Sequence, residues 1–233
     1  MSPRAHRLLL ATALFLTPAV ARAATPGVQR GTMMLSAERL FGLSFSRAIQ
    51  GSGAGEVDFD QTHFGLAMAP LSPAPHVYLL PRLAFDYALI DGLTLGGSLG
   101  FGVGEAGSGD AKPSFTTVLL APRIGYVVGL SKPLSLWLRA GFTYFNVTRH
   151  TDRDALPPNT EVSATIWGLA LNLEPTLLIS PFEHLAFTVG GILDLPMTGK
   201  QSSETTVGSV TTTRSVDYTI RNFGLVAGIV VMF

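Results

Sequence analysis

Leu93-Thr94-Leu95-Gly96-Gly97-Ser98-Leu99-Gly100-Phe101-Gly102-Val103 alternates strictly. Leu93, Leu95, Leu99, Phe101 and Val103 fall on one side; Thr94, Gly96, Ser98, Gly100 and Gly102 fall on the other. A period of two is the mark of a β-strand whose faces meet different surroundings. Here one face is bulky and apolar and the other is tiny or polar.

The same reading, extended outward, predicts strands at about 33–47, 78–89, 93–103, 114–128, 134–146, 162–179, 185–195 and 216–233. Counted back from the C-terminus, the connections alternate: 196–215 long, 180–184 short, 147–161 long, 129–133 short, 104–113 long, 90–92 short and 48–77 long. A diverged hairpin repeat runs from Pro81-Arg82-Leu83 to Gly100-Phe101, again from Pro122-Arg123-Ile124 to Gly141-Phe142, and more loosely from Pro175 to Gly191. A propeller blade needs four strands per repeat, and this repeat supplies two. The expected fold is therefore all-β, a closed antiparallel eight-stranded transmembrane barrel in an up-and-down meander. Ten strands is the alternative, if 57–68 and 204–213 add spanning strands rather than hairpin extensions.

Residue size decides which face is outside. Gly96, Ser98, Gly100, Gly102, Gly125, Gly141, Gly168, Gly190, Gly224 and Gly228 suit the crowded interior of a narrow barrel, so the large apolar face must meet lipid. Twelve aromatics share that outward parity: Phe41, Phe45, Phe85, Tyr87, Phe101, Tyr126, Phe142, Tyr144, Trp167, Phe187, Phe223 and Phe233. Trp137 and Phe145 fall on the lumen parity. So do Glu38, Arg82, Asp86, Arg123, Arg139, Glu174 and Asp194, a predicted lumen charge network in which Arg123, Arg139 and Glu174 share a depth and touch. Its expected role is a structural plug, the alternative a gate or proton path. Arg39, Arg47 and Arg221 are the outward exceptions, placed near strand ends where a charge costs little. Pro81, Pro122 and Pro175 fall inside predicted strands and call for a bulge or strand end.

Composition agrees. The 233 residues are 47% hydrophobic and 14% charged, more apolar than most soluble domains. Arg4 and Arg7, the apolar run Leu8–Val20, and Ala21-Arg22-Ala23 have the order of a secretory signal peptide, which assigns 1–23 to a leader and 24–233 to one barrel domain. Removing Arg4, Arg7 and Arg22 takes Lys+Arg from 16 to 13 against 16 Asp+Glu, a mature charge of −3. No basic field for nucleic acid is expected. Cysteine is absent, which excludes disulfides and thiolate chemistry.

The last strand, Phe223-Gly224-Leu225-Val226-Ala227-Gly228-Ile229-Val230-Val231-Met232-Phe233, ends in Phe with apolar residues at every second position before it. It resembles the C-terminal signal of bacterial outer-membrane barrels, and the chain is similar in pattern to the small OmpA-, OmpX- and OmpW-type barrels. The resemblance implies the outer membrane as location, its lipids as surroundings, and recognition of Phe233, Val231 and Ile229 by the barrel-assembly machinery.

Catalytic chemistry is sparse. His63, His76, His150 and His184 are predicted in loops or turns, and none is placed mid-strand beside a serine as a barrel lipase requires. Glu56, Asp58, Asp60 and His63 form an acidic loop cluster, read as a solvated face ahead of a cation site. No catalytic residue, metal or cofactor is assigned. The expected function is a non-enzymatic structural, adhesive or surface-loop interaction role with an unidentified extracellular ligand; a narrow channel or transporter for small or hydrophobic solutes is the alternative, and a lipid-modifying enzyme a third.

Overall fold

A computed structural model describes residues 28–51, 56–66, 69–70, 77–105, 114–152 and 160–233. The predicted leader, residues 1–23, and His76 lie outside them. Among the described residues, nine strands form an antiparallel ring: β1 Met33–Gln50, β2 Val57–Leu66, β3 Arg82–Ile90, β4 Leu93–Glu105, β5 Ser114–Ser131, β6 Leu134–Asp152, β7 Thr160–Phe182, β8 Leu185–Val207 and β9 Val210–Met232. Each strand from β3 to β9 pairs with the next, and β9 returns to β1 over Met34↔Met232 to Gln50↔Tyr218. Pairing between neighbours satisfies most of the backbone polar groups that the strands carry through the bilayer.

The count corrects the expectation of eight strands, and equally the alternative of ten. The excess strand is β2, which falls in the stretch 57–68 named as a possible addition within the expected loop 48–77. β1 is forked: its lower half pairs with β3 from Met33↔Tyr87 to Glu38↔Arg82, and its upper half pairs with β2 from Phe41↔Leu66 to Gln50↔Val57. In effect β2 and β3 are the upper and lower halves of one wall strand, broken where the chain leaves the wall. A two-residue bridge, Ala69–Pro70, pairs with Gly65 and Leu66, and a 3-10 turn at Val77–Leu79 then enters the lumen. Strand β3 accordingly begins at Arg82, not at residue 78.

The fork also corrects the expectation of a fully closed wall. Among the described residues, Val57–Phe64 pairs only with β1, and Phe101–Glu105 only with β5. A seam therefore separates the upper parts of β2 and β4. At its foot β1 shifts register between Ala37 and Phe41, and Arg39 there adopts φ 58°, a left-handed conformation uncommon for a side chain of this size.

Prolines behave differently from expectation at two of three positions. Pro81 stands just before β3, a strand end. Pro122 and Pro175 lie within β5 and β7 with no bulge. Pairing lapses between Leu120↔Tyr144 and Arg123↔Gly141, and between Leu173↔Leu193 and Thr176↔Gly190, and resumes in the same register. The sheet gives up a ladder step and keeps its register.

The predicted parity holds around the wall. All twelve outward aromatics project away from the lumen; eleven are exposed and Trp167 is half-buried. On β9 the apolar outward row runs from Phe233 to Phe223 and gives way to Arg221, and on β1 it runs from Met33 to Phe45 and gives way to Arg47. About ten residues of tilted strand span roughly the 25 Å apolar band of an outer-membrane barrel. Above it, β8 and β9 continue as a polar hairpin to a two-residue turn with Gly208 at φ 60°. The expected long loop 196–215 is thus strand, the hairpin extension foreseen for 204–213.

Candidate functional site: a layered lumen beside an open seam

The lumen is filled in three layers. At the end with the short turns, Trp137 is fully buried among Val28, Met34, Ala88, Val127, Leu178, Ala186 and Val230. Its indole N–H donates to Thr94 Oγ1 at 3.1 Å. Glycine at 125 makes room, because a Cβ there would collide with the indole nitrogen and the Thr94 hydroxyl. The guanidinium of Arg139 lies over the ring at 4.5 Å from its centroid and that of Arg123 at 5.6 Å, so cation–π attraction joins this layer to the next.

The middle layer is ionic, and all seven predicted charges are buried in it. Arg123 clasps Asp86 with two nitrogens, Nε to Oδ1 at 3.0 Å and Nη2 to Oδ2 at 2.5 Å, and donates from Nη1 to Glu38 Oε2 at 2.8 Å. Arg139 donates to the other Glu38 oxygen, and its Nη2 lies 2.8 Å from Glu174 Oε2, an ionic contact without hydrogen-bond alignment. Arg123 and Glu174 approach to 3.9 Å. Arg123, Arg139 and Glu174 are thus brought together as the parity predicts. Asp194 stands apart, its two oxygens accepting from Asn172 and Asn222 amides at 2.8 Å each. Arg82 is buried with no hydrogen-bond partner at Nε or Nη2.

Arg39 is the charge that the parity reading misplaced. It lies at mid-belt, where an outward guanidinium would cost about 2–4 kcal/mol. The β1 register shift turns it inward, where it donates to Glu174 and to the Tyr78 carbonyl. The adjacency Glu38-Arg39 was the available signal, because alternation alone must send one of two neighbouring mid-belt charges into lipid.

The top layer is apolar and is built largely by the segment that left the wall. Tyr78 packs edge-on to Phe145 at 5.6 Å, with Val77, Leu119, Ala121, Ala170 and Ile220 around them. Leu79 joins Ile192 and Val226. The four consecutive apolar residues Val77–Leu80 break the alternation and could have marked this plug in the sequence. Leu79 rests against Gly42 and Gly65 of β1 and β2, and Leu80 against Gly100 and Gly102 of β4. Together they wedge the fork from within.

Chemistry elsewhere is limited. His63 and His150 are strand residues of β2 and β6, not loop residues as expected; among the described residues, only His184 is in a turn. Asp58 of the acidic cluster is engaged by Arg47, Nε to Oδ2 at 2.7 Å. Among the described residues no group of three or more His, Asp or Glu could hold a metal ion. Outside the membrane layer, a polar cleft of about 830 Å³ lies between the end of β1 and the β8–β9 hairpin, lined in part by Gln50, Gln201, Ser203, Thr205, Thr212 and Arg214.

No family model matches the chain and no curated protein matches it in sequence. Solved structures do. The outer membrane protein OprG from Pseudomonas aeruginosa is similar at 13% identity, with 89% of this chain and 98% of that chain covered and a TM-score of 0.52. The outer membrane protein AlkL is similar at 13% identity over 93% and 97% of the two chains, with a TM-score of 0.49. The outer membrane protease OmpT from Escherichia coli is similar at 8% identity over 91% and 99%, with a TM-score of 0.46. With its exposed apolar belt and antiparallel ring, the chain has the fold of the small bacterial outer-membrane β-barrel proteins.

Proposed function

We propose that this barrel is non-enzymatic and passes small apolar solutes through the side of its wall, between β2 and β4, rather than along its axis. The carrying observation is the seam and its lips. On the lipid side, one lip presents Phe64 and the other Phe101 and Val103, all exposed. Behind the lips stand Leu79 and Leu80. In this reading movement of the Leu79–Leu80 wedge joins the upper lumen to the bilayer by an apolar route, while the ionic and Trp137 layers block the axial route below. A polar solute gains nothing from such lips. In this reading the charge network is a structural floor, and Phe233, Val231 and Ile229 serve as the assembly signal, on a strand whose terminal Phe233 exchanges backbone hydrogen bonds with Met33.

Uptake of toluene and of a glucose-sized hydrophilic solute by cells with and without the protein tests this. Faster toluene entry with unchanged hydrophilic entry is expected, together with no steady current in planar bilayers. Large stable conductance steps, or toluene entry independent of the protein, would overturn it. A second reading, adhesion, is favoured by the hydroxyl-rich hairpin Gln201–Ser215 and its cleft. Deleting residues 203–214 should abolish surface binding without altering toluene entry if the two roles coexist.

A further inference from the structure

Three of the lumen arginines make ion pairs, and the fourth does not. Arg39 pairs with Glu174, Arg123 with Asp86 and Glu38, and Arg139 with Glu38 and Glu174. Arg82 is only 3% exposed, yet among the described residues it has no carboxylate within ion-pair distance and no acceptor at Nε or Nη2. The remaining lumen carboxylate, Asp194, already accepts one amide hydrogen bond at each oxygen. A buried guanidinium with unmet donors at Nε and Nη2 is costly, so a site that keeps one is poised for an anion.

The position of Arg82 matters as much as its chemistry. It is the first residue of β3, its backbone opposite Glu38 on β1 and Gly100 on β4, so it stands at the foot of the seam. Its side-chain stem and the Leu80 side chain both lie against Gly100. Leu80 thus packs beside the stem of the one lumen arginine that is unpaired among the described residues.

We infer that the place Leu80 occupies is a binding site for an amphipathic monocarboxylate, with the apolar tail replacing Leu80 between the seam's lips and the carboxylate accepting from Arg82. The inference rests on the seam being a solute route and narrows its substrate class. A planar guanidinium matches a carboxylate with two parallel hydrogen bonds, which an alcohol of the same length cannot form. The charge-assisted bond then sets the preference between acid and alcohol.

The test titrates the purified barrel in lipid nanodiscs with hexanoate, 1-hexanol and acetate by calorimetry, with empty nanodiscs as blank. Hexanoate is expected to bind at least about tenfold more tightly than 1-hexanol, and acetate, lacking the tail, more weakly than hexanoate. Arg82→Met should bring hexanoate down to the level of 1-hexanol and leave 1-hexanol unchanged. That variant orphans no ion-pair partner and is expected to fold. If it does not, the wild-type comparison of hexanoate with 1-hexanol decides alone. Equal binding of hexanoate and 1-hexanol, equal binding of acetate and hexanoate, or an undiminished hexanoate affinity in Arg82→Met would overturn the site. If toluene entry persists while the hexanoate preference is missing, only the carboxylate site falls; if toluene entry and 1-hexanol binding are both missing, the seam route falls.

Discussion

Arg123 and Arg47 hold an aspartate in nearly the same way and in opposite surroundings. Arg123 clasps Asp86 in the lumen, where both side chains are almost fully covered; Arg47 clasps Asp58 on the outer surface above the belt, where its own side chain is 56% exposed. In the lumen each ion has lost its water and depends on its partner. At the rim, water and salt serve each ion nearly as well as the other does. The same bond is therefore structural in one place and incidental in the other, and geometry alone does not reveal which.

Removing one lumen partner should produce the largest effect. Glu174 holds both Arg39 and Arg139, so Glu174→Ala leaves Arg39 with only the Tyr78 carbonyl and places uncompensated positive charge beside Arg123. A loss of about 3–5 kcal/mol is expected for a buried pair broken on one side, read as earlier unfolding in heat-modified gel mobility. The double variant Arg39→Leu with Glu174→Leu should lose clearly less, because no charge is then stranded. Wild-type behaviour of Glu174→Ala would show that the lumen charges are hydrated like those at the rim.

A second break concerns packing. At Gly125 an added methyl group meets the Trp137 indole and the Thr94 hydroxyl. Gly125→Ala should cost about 1–3 kcal/mol by overpacking and disturb the Trp137–Thr94 hydrogen bond. In a Trp167→Phe background the emission of Trp137 reports it directly, since Trp137 and Trp167 are the two tryptophans of the chain. Unchanged emission would mean that the layer below the charges is loosely packed.

The contrast also explains what the sequence could disclose. Strand parity made the lipid face, the lumen charges and the meeting of Arg139 with Glu174 legible, because a two-residue period acts locally and a bilayer punishes every exception. The fork was not legible. Nothing in Phe41–Gln50 says that its neighbour differs from that of Met33–Glu38, since pairing partners are set by where the chain between β2 and β3 goes. Arg39 was misread for a related reason: parity assumes an unbroken register, and the shift between Ala37 and Phe41 lies at the fork. Arg82 could be assigned to the lumen from its parity, but its lack of a partner depends on distances across the barrel that no local pattern encodes.

The smallest effect is expected at the rim, and it sharpens the comparison most. Arg47 donates to Asp58 and holds its carboxyl below the ordinary aspartate range. A carboxylate with a depressed folded-state value adds stability above its unfolded-state value and loses it as pH falls through the folded-state value. Here both groups stand in solvent, so the contribution is screened and offset by the entropy of fixing two side chains. Asp58→Asn should therefore unfold with the wild type at pH 7, at low and at high salt, and lowering the pH to 3 should not separate the two proteins. A drop of about 4 °C or more in Asp58→Asn at low salt, vanishing at high salt, would show that the rim pair stabilises the β1–β2 half of the fork. The lumen and rim arginines would then differ in degree only, and the upper wall would owe its order to charge as well as to strand pairing.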